Sequence, residues 1–252
     1  GQALTLQTTG KVARYNGQLA EAEGLLREAL ASWKELGDVV GAAATLHELG
    51  VVSLRRADWA AATSLLSESL DMKRSRRQLL ANAALPASHQ RDGTPGGGAQ
   101  RETTLRSDEA STLHQLAVAA MSSRPARLDD AGTLLREALA LEAKGSMGYA
   151  GRAATLQQLA RVTERKGDRE GALEHLREAL ELHKHVYGEG QPHVNKAAVL
   201  SQLASLSLQA GDAPLAISRL QEALTMRRQL YGHGAWHVEI AANLSRLGEC
   251  ER

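Results

Sequence analysis

Phenylalanine is absent from this chain, and aromatic residues make up only 3% of its 252 residues. Tryptophan contributes three and tyrosine four, so leucine and alanine must supply most of the apolar interior. An interior of small and aliphatic side chains suits closely spaced helices. It argues against a β-sheet protein, in which aromatic and β-branched residues are enriched. The composition therefore favours an all-α fold.

Cysteine is nearly absent as well, because Cys250 is the single one. One cysteine excludes an internal disulfide, and we therefore expect a reducing compartment, the cytoplasm. No apolar run approaches the roughly 20 residues that span a bilayer, and no signal peptide is visible, which predicts no membrane partner. The chain begins at Gly1 without Met and ends inside a helix-like pattern, so we interpret it as part of a longer protein.

A strong net charge is also lacking, since 30 basic residues stand against 29 acidic ones. Without a global field of one sign, the chain has no electrostatic reason to bind nucleic acid. The sequence predicts no nucleic-acid partner.

What the chain does contain is a repeat. A leucine at the same place in each copy recurs at intervals of 40, 67, 43, 44 and 44 residues. A second landmark, a Leu-x-Glu-x-Leu run, follows in the same register. A fixed period of this length indicates stacked units that bury their apolar faces against one another. The first leucines are Leu6, Leu46, Leu113, Leu156, Leu200 and Leu244, and the second runs are 26–30, 66–70, 135–139, 176–180 and 220–224.

The most regular copies resemble the tetratricopeptide repeat. The matching positions are Leu46, Leu49, Gly50, Trp59, Ala62 and Leu66 in the second copy, Leu156, Leu159, Ala160, Gly167, Ala172, Leu176 and Ala179 in the fourth, and Leu200, Leu203, Ala204, Gly211, Ala216, Leu220 and Ala223 in the fifth. The period of 42–44 residues exceeds the usual ~34 of this repeat. It is similar to the kinesin-light-chain and nephrocystin-like subclass, whose Leu-Gly-x-x-His-Pro-x-Val-Ala linker is approximated by residues 187–194 and 231–238, with departures at Gln191 and Ala235-Trp236.

The resemblance implies an all-α, right-handed α-solenoid of stacked antiparallel helix pairs. We expect repeats 1–2 in residues 1–80, repeats 3–5 in 107–236, and the first helix of a truncated sixth repeat in 237–252. Residues 81–106 interrupt the period. Their core, Leu85–Thr104, holds two prolines and four glycines without apolar periodicity, which predicts a flexible insert. A phosphate-binding loop is not indicated, because no strand precedes these glycines and no Gly-Lys-Ser/Thr follows.

Catalytic and metal-binding patterns are missing. His183, His185 and His193 are the densest histidines, yet His183 and His185 point about 200° apart on a helix and cannot share an ion. There is no His-Glu-x-x-His, no cysteine pair and no nucleophile elbow. The chain is therefore predicted to be no enzyme, with no catalytic residue, no metal and no cofactor.

Surface recognition remains as the predicted chemistry. The resemblance implies that first helices line a concave face that binds a peptide or a partner helix. Arginine binds a carboxylate through two parallel hydrogen bonds, and glutamine can both donate to and accept from a peptide backbone. An acidic or polar ligand is therefore predicted. The alternative is that these side chains are merely solvated. The candidates are Lys11, Arg14, Tyr15, His47, Arg55, His114, Gln115, Gln157, Gln158, Arg161, Arg165, Gln202 and Gln209.

Two interpretations stay open for the basic run Lys73–Arg77: a nuclear-import or anionic-surface patch, or cations that complement the dipole in the last turns of a helix. Two functions also stay open. The chain is predicted to be a non-catalytic adaptor or scaffold, or alternatively the regulatory or targeting arm of a larger enzyme, motor or signalling protein. The sequence predicts no particular oligomeric state.

Overall fold

The computed structural model describes residues 1–83, 97–142, 148–232 and 238–250. Within those ranges the backbone forms eleven α-helices and no β-strand. None of these helices combines the length and the apolar composition needed to cross a bilayer. In chain order they are α1 (Gln2–Tyr15), α2 (Leu19–Glu35), α3 (Val39–Arg55), α4 (Trp59–Ala83), α5 (Gly97–Ser122), α6 (Leu128–Leu141), α7 (Tyr149–Arg165), α8 (Arg169–Tyr187), α9 (Val194–Gln209), α10 (Ala213–Tyr231) and α11 (Val238–Cys250).

The helices pack as consecutive antiparallel pairs inside two compact units, Gly1–Ala143 and Lys144–Arg252. The first unit holds the pairs α1–α2, α3–α4 and α5–α6, and each pair packs on the next. The second unit holds α7–α8 and α9–α10, and α11 packs against α10. The predicted all-α architecture of stacked antiparallel pairs is confirmed. The boundary between the units, after α6, is a division that the sequence did not mark.

Short turns with one left-handed residue join the two helices of a pair. Gly17 and Gly167 have φ of 81° and 89°, a conformation that costs a residue with a Cβ roughly 1–2 kcal/mol. Ala57 adopts φ 60° at the same place in the second pair. In the second and fourth pairs the residue that follows is an aspartate, Asp58 or Asp168, which caps the next helix. Asp168 Oδ1 accepts a hydrogen bond from the Gly171 amide at 2.9 Å.

Alanine and leucine form the seam within each pair, as the repeat pattern predicts. Ala22, Ala62 and Ala172 are completely buried, one in each of three second helices. Their small side chains allow the paired helices to approach closely, and the leucine four residues later, such as Leu66, is buried in the same seam. This seam supplies the apolar burial that a solenoid requires.

The structure differs from the predicted flexible insert, residues 81–106, at both ends. Helix α4 continues to Ala83, and α5 begins at Gly97, so the third pair starts ten residues before the predicted position 107. The added turns of α5 hold an ion pair of Glu102 with Arg106 at 2.8 Å, and Leu105 is buried. A single apolar residue in this stretch was too little to reveal a helix by periodicity. The remainder of the predicted insert lies outside the described residues.

Candidate binding face

In the first unit, α1 contacts α3, and α3 contacts α5, so three first helices lie side by side. We call the surface that they form, together with Lys73 and Arg76 of α4, the first-helix face. A cavity of about 240 Å³ opens there. Its lining combines apolar and charged side chains. The lining residues are Lys11, Val39, Val40, Ala43, Ala44, His47, Glu48, Met72, Lys73, Arg76, Leu105, Asp108 and Ser111.

Glu48 forms ion pairs with two candidate cations of α1, Lys11 and Arg14. Its carboxylate lies 3.1 Å from Arg14 Nε and 3.5 Å from Lys11 Nζ. Arg14 is only 7% exposed, and Arg55 Nη1 donates to its backbone carbonyl at 2.7 Å. The Arg14 guanidinium also lies 4.2 Å from the ring centroid of Tyr15. Arg14 therefore ties α1 to α3, whereas Lys11 lines the cavity.

His47 belongs to a second group, centred on Thr112 of α5. The Thr112 hydroxyl donates to the Asp108 carbonyl at 3.0 Å and accepts from Lys73 Nζ at 2.8 Å. His47 Nδ1 lies 3.1 Å from the same hydroxyl oxygen. Because the one hydroxyl proton is used on Asp108, the ring must be the donor, which assigns the proton of neutral His47 to Nδ1. Lys73 Nζ also donates to the Asp108 carbonyl, at 3.1 Å.

Cationic side chains lie near His47. The pKa of His47 is lowered from 6.5 to about 3, first because burial desolvates the ring and then because Lys73, Lys11 and Arg14 repel a proton. The pKa of Lys73 is lowered too, by burial, although Asp108, Glu48 and Glu109 act in the opposite direction. On α5, burial lowers the pKa of His114 to about 4. Burial is the first cause of all three shifts.

The remaining candidate of the first unit, Gln115, is half-buried on α5 beside His114. The candidates therefore divide into three kinds: Lys11 and His47 line the cavity, Arg14 and Arg55 hold two helices together, and His114 and Gln115 lie on the third first helix. The sequence did not single out Glu48, Thr112 or Lys73 for this face. Of these three residues, only Glu48 stood out by its position in the sequence, because it directly follows the candidate His47.

In the second unit, the candidates lie on α7 and α9. Arg161 and Arg165 are exposed on α7, and Arg161 Nη1 donates to Gln158 Oε1 at 3.4 Å. Gln209 of α9 reaches back to Glu164, with Nε2 at 3.2 Å from Oε1. The half-buried amides Gln157 and Gln202 complete the set, and Gln202 Oε1 has no hydrogen-bond partner among the residues that the structure describes. These two helices carry amides and arginines.

The histidines near the end of α8 pack with one another and with tyrosines. His183 is completely buried and stacks on Tyr187 at 5.7 Å, while Tyr187 stacks on His193 at 3.5 Å between centroids. His193 also caps α9 by accepting from the Asn195 amide. His185 meets Tyr149 edge-on. Among the residues that the structure describes, no group of three or more His, Cys, Asp or Glu is placed to hold a metal ion.

Lys196 organises the linker between α8 and α9. It is 1% exposed, and its ammonium donates to the carbonyls of Gly188, Glu189 and Gln191 at 2.9, 2.7 and 2.8 Å. All three N–H groups therefore find an acceptor. This buried lysine was not foreseen from the sequence, because its partners are backbone atoms.

Comparison with known families supports the repeat assignment. Tetratricopeptide repeat family models match residues 2–75 and 152–193. None of the curated protein sequences matches the chain.

Solved structures of other proteins have a similar fold. BtubC (BKLC) from P. vanneervenii is 18% identical, with a TM-score of 0.68 over 92% of this chain and 82% of that chain. The nearly identical TPR-like repeats assigned to a kinesin light chain of Podosopora anserina are 20% identical, with a TM-score of 0.62 over 90% of this chain and 94% of that one. The apo form of the quorum sensor NprR from B. thuringiensis is 13% identical, with a TM-score of 0.68 over 97% of this chain and 57% of that chain. These likenesses show the fold.

Proposed function

Residues 2–75 and 152–193 of this chain are tetratricopeptide repeats, and from that premise we propose that it is a non-catalytic adaptor of the kinesin-light-chain-like subclass that binds an acidic or polar peptide on its first helices. The tetratricopeptide fold is a protein-interaction scaffold that typically has no catalytic role. The lone cysteine supports placing this activity in the cytoplasm.

The observation that carries the proposal is the cavity of the first unit, whose lining holds three cations, Lys11, Lys73 and Arg76, against two carboxylates. The carboxylates are Glu48, which pairs with Lys11 and Arg14 of α1, and Asp108. A carboxylate that entered the cavity would reduce the repulsion among these cations. Apolar side chains of the lining, such as Val40 and Met72, provide contact area for the aliphatic part of the same ligand. The ligand class is therefore a peptide with acidic side chains.

The second unit supports the same ligand class. Arg161 and Arg165 lie one helical turn apart on the exposed side of α7, and guanidinium groups bind carboxylates in a bidentate geometry. Half-buried amides such as Gln157 and Gln202 can donate to and accept from a peptide backbone. Each unit thus supplies cations together with groups that bind a main chain.

The test measures fluorescence anisotropy of labelled 12-residue peptides, acidic or basic, titrated with the full chain. The acidic set is expected to bind and to weaken as salt rises, because the contacts are electrostatic. Arg76→Glu in the first unit is expected to weaken acidic binding at least tenfold. Arg136→Glu, the same charge change on an exposed site of α6, is the matched control and is expected to leave binding within twofold.

The second unit is tested in parallel. Arg161→Glu with Arg165→Glu is compared with Arg169→Glu plus Arg177→Glu, two exposed arginines on the second helix of the same repeat. Only the first pair is expected to weaken acidic binding. Equal losses from both pairs, or basic peptides that bind as tightly as acidic ones, would contradict the proposal.

A further inference from the structure

Lys73 of α4 is half-buried in the lining of the cavity of the first unit. Its Nζ donates to the Thr112 hydroxyl at 2.8 Å and to the Asp108 carbonyl at 3.1 Å. Thr112 can only accept from Lys73, because its own proton is used on that carbonyl. Two of the three hydrogens of an ammonium group are therefore in use. The third has no protein acceptor among the residues that the structure describes, which leaves this position to a molecule in the cavity.

The buried lysine of the second unit, Lys196, has the opposite arrangement. Three carbonyl oxygens accept from its Nζ, so its contacts require three N–H groups and hold the ammonium form. A neutral amine has only two N–H groups and one lone pair. At Lys73 the neutral form satisfies both acceptors and keeps its lone pair free. The contacts of Lys73 therefore suit a nucleophile, and those of Lys196 do not.

The surroundings of Lys73 also weaken its hold on a proton. Burial is the largest cause that lowers its pKa, and Lys11 of α1 acts in the same direction. His47 of α3 adds no charge at neutral pH, because its own pKa is about 3. More of Lys73 is therefore in the amine form at neutral pH than of an ordinary lysine. The groups that oppose this shift are the carboxylates Asp108, Glu48 and Glu109.

Arg76 provides a group that can hold a phosphate next to this amine. It lies one helical turn from Lys73 on α4 and lines the same cavity. Its guanidinium forms no ion pair within the described part of the chain, and guanidinium groups bind phosphate through two parallel hydrogen bonds. The cavity, of about 240 Å³, is smaller than the roughly 300–1,000 Å³ of pockets that hold drug-sized ligands, so a molecule that enters it must be small.

We propose that Lys73 is a modification site, acylated on Nζ by a small acyl phosphate that binds in this cavity. The lone pair of Nζ forms the C–N bond to the acyl carbon, and the C–O bond to the phosphate breaks. The amine proton leaves with the phosphate as hydrogen phosphate, which Arg76 binds. The product is a neutral amide that keeps one N–H group for Thr112 or the Asp108 carbonyl. This site goes beyond peptide binding and does not rest on it.

The probe is acetyl phosphate, incubated with the full chain at pH 7.5 and quenched at successive times. Proteolytic mapping by mass spectrometry then gives the initial acetylation rate of each lysine. Lys73 is expected to react at least tenfold faster than Lys11, which lines the same cavity but pairs with Glu48, and at least tenfold faster than Lys34, which is exposed on α2. Lys196 is expected to react most slowly, because its three N–H groups are all bonded.

Unfolding separates the folded site from the basic run Lys73–Arg77, which could attract acetyl phosphate without any fold. In concentrated urea the run persists and the cavity does not, so the rate of Lys73 is expected to come within twofold of that of Lys34. An advantage of Lys73 that survives in urea would assign the reactivity to the run and overturn the proposal. So would a folded chain in which Lys73 reacts no faster than Lys11 or Lys34.

The phosphate contact has a test of its own. Arg76→Gln is expected to slow acetylation of Lys73 at least threefold and to leave the rate of Lys34 unchanged. Arg136→Gln, at an exposed site of α6, is the matched control and is expected to leave both rates unchanged. A Lys73 rate that is the same in Arg76→Gln and in the parent would contradict binding of the acyl phosphate beside Arg76.

Discussion

Individual small residues set the distance between paired helices in this protein. Gly50 of α3 faces Leu66 of α4, and a Cβ at Gly50 would lie 2.5 Å from Leu66 Cγ. Because Leu66 is completely buried, neither its side chain nor the helix that carries it can move away freely. Glycine is needed here for space, whereas in the turns it is needed for its left-handed backbone.

Gly50→Ala is therefore expected to destabilise the first unit by about 1–3 kcal/mol through overpacking. Gly24→Ala is the matched control, because Gly24 lies within α2 and its added Cβ would meet no atom within 4 Å in the described part of the chain. That control is expected to stabilise by about 0.5–1 kcal/mol through helix propensity. Urea unfolding followed by the fluorescence of Trp33 and Trp59 measures both. Equal effects of the two variants would refute the close approach at Gly50.

For individual residues, burial in the seam between paired helices was predictable from the sequence, whereas the polar contacts between helices were not. Residues such as Ala172 and Leu176 recur in register, so their burial follows from helical periodicity. Arg14 was predicted to lie on a binding face, and the structure places it in an ion pair with Glu48 of another helix. Such an ion pair depends on how two repeats stack, so it cannot be predicted from the spacing of residues within one helix.

Helix α4 shows how a charged run can stabilise a stack. The sequence left two interpretations for Lys73–Arg77, and the one that placed these cations in the last turns of a helix is wrong, because α4 continues to Ala83. Lys73 bonds Thr112, Arg74 pairs with Glu137 of α6, and Arg77 Nε donates to Glu109 of α5 at 2.7 Å. The run connects the second repeat to the third.

The Arg77–Glu109 pair is expected to be the stronger of two pairs on α4. Glu109 is 1% exposed, so Arg77→Met would leave a buried carboxylate without its charged partner, at a cost of about 1–3 kcal/mol. Arg74→Met breaks the exposed pair with Glu137 and is expected to cost less than about 1 kcal/mol. Double-mutant cycles with Glu109→Gln and Glu137→Gln measure both couplings. A coupling for the exposed pair that equals or exceeds the other would contradict this ranking.

The residues at which helices begin and end were harder to predict from the sequence than the helices themselves. The Gly-Asp turns at Gly167 and Gly211 were visible because each glycine is followed by a capping aspartate. The start of α5 was not visible, because its first turns are mostly polar and are stabilised by the Glu102–Arg106 pair and by burial of Leu105. Apolar periodicity marks only the part of a helix that packs through apolar side chains. When the first turns of a helix are polar, the periodicity therefore predicts a start that is too late.

For the whole molecule, one buried histidine, His183, and two half-buried ones, His47 and His114, make stability depend on pH. The pKa of His47 is lowered to about 3 by burial and by Lys73, Lys11 and Arg14. The pKa values of His114 and His183 are lowered to about 4, for His114 by burial and for His183 by burial together with His193 and Lys196. In the unfolded chain each ring titrates near 6.5. Between about pH 6.5 and 4, the unfolded chain therefore binds more protons than the folded chain.

Because the unfolded state gains these protons, the free energy of unfolding is expected to fall as pH drops from 7 towards 4 and to be retained above pH 7. Each histidine contributes a slope of about 1.4 kcal/mol per pH unit once the pH is well below 6.5. His183→Phe keeps an aromatic ring against Tyr187 and removes one proton, so its slope is expected to be shallower by that amount in the second unit. At pH 7.5 the rings are neutral in both states, so the difference from the parent there measures packing alone. Urea unfolding by circular dichroism at pH 7.5, 6.0 and 5.0 provides the slopes, and parallel slopes for the parent and His183→Phe would show that His183 takes up a proton in the folded state.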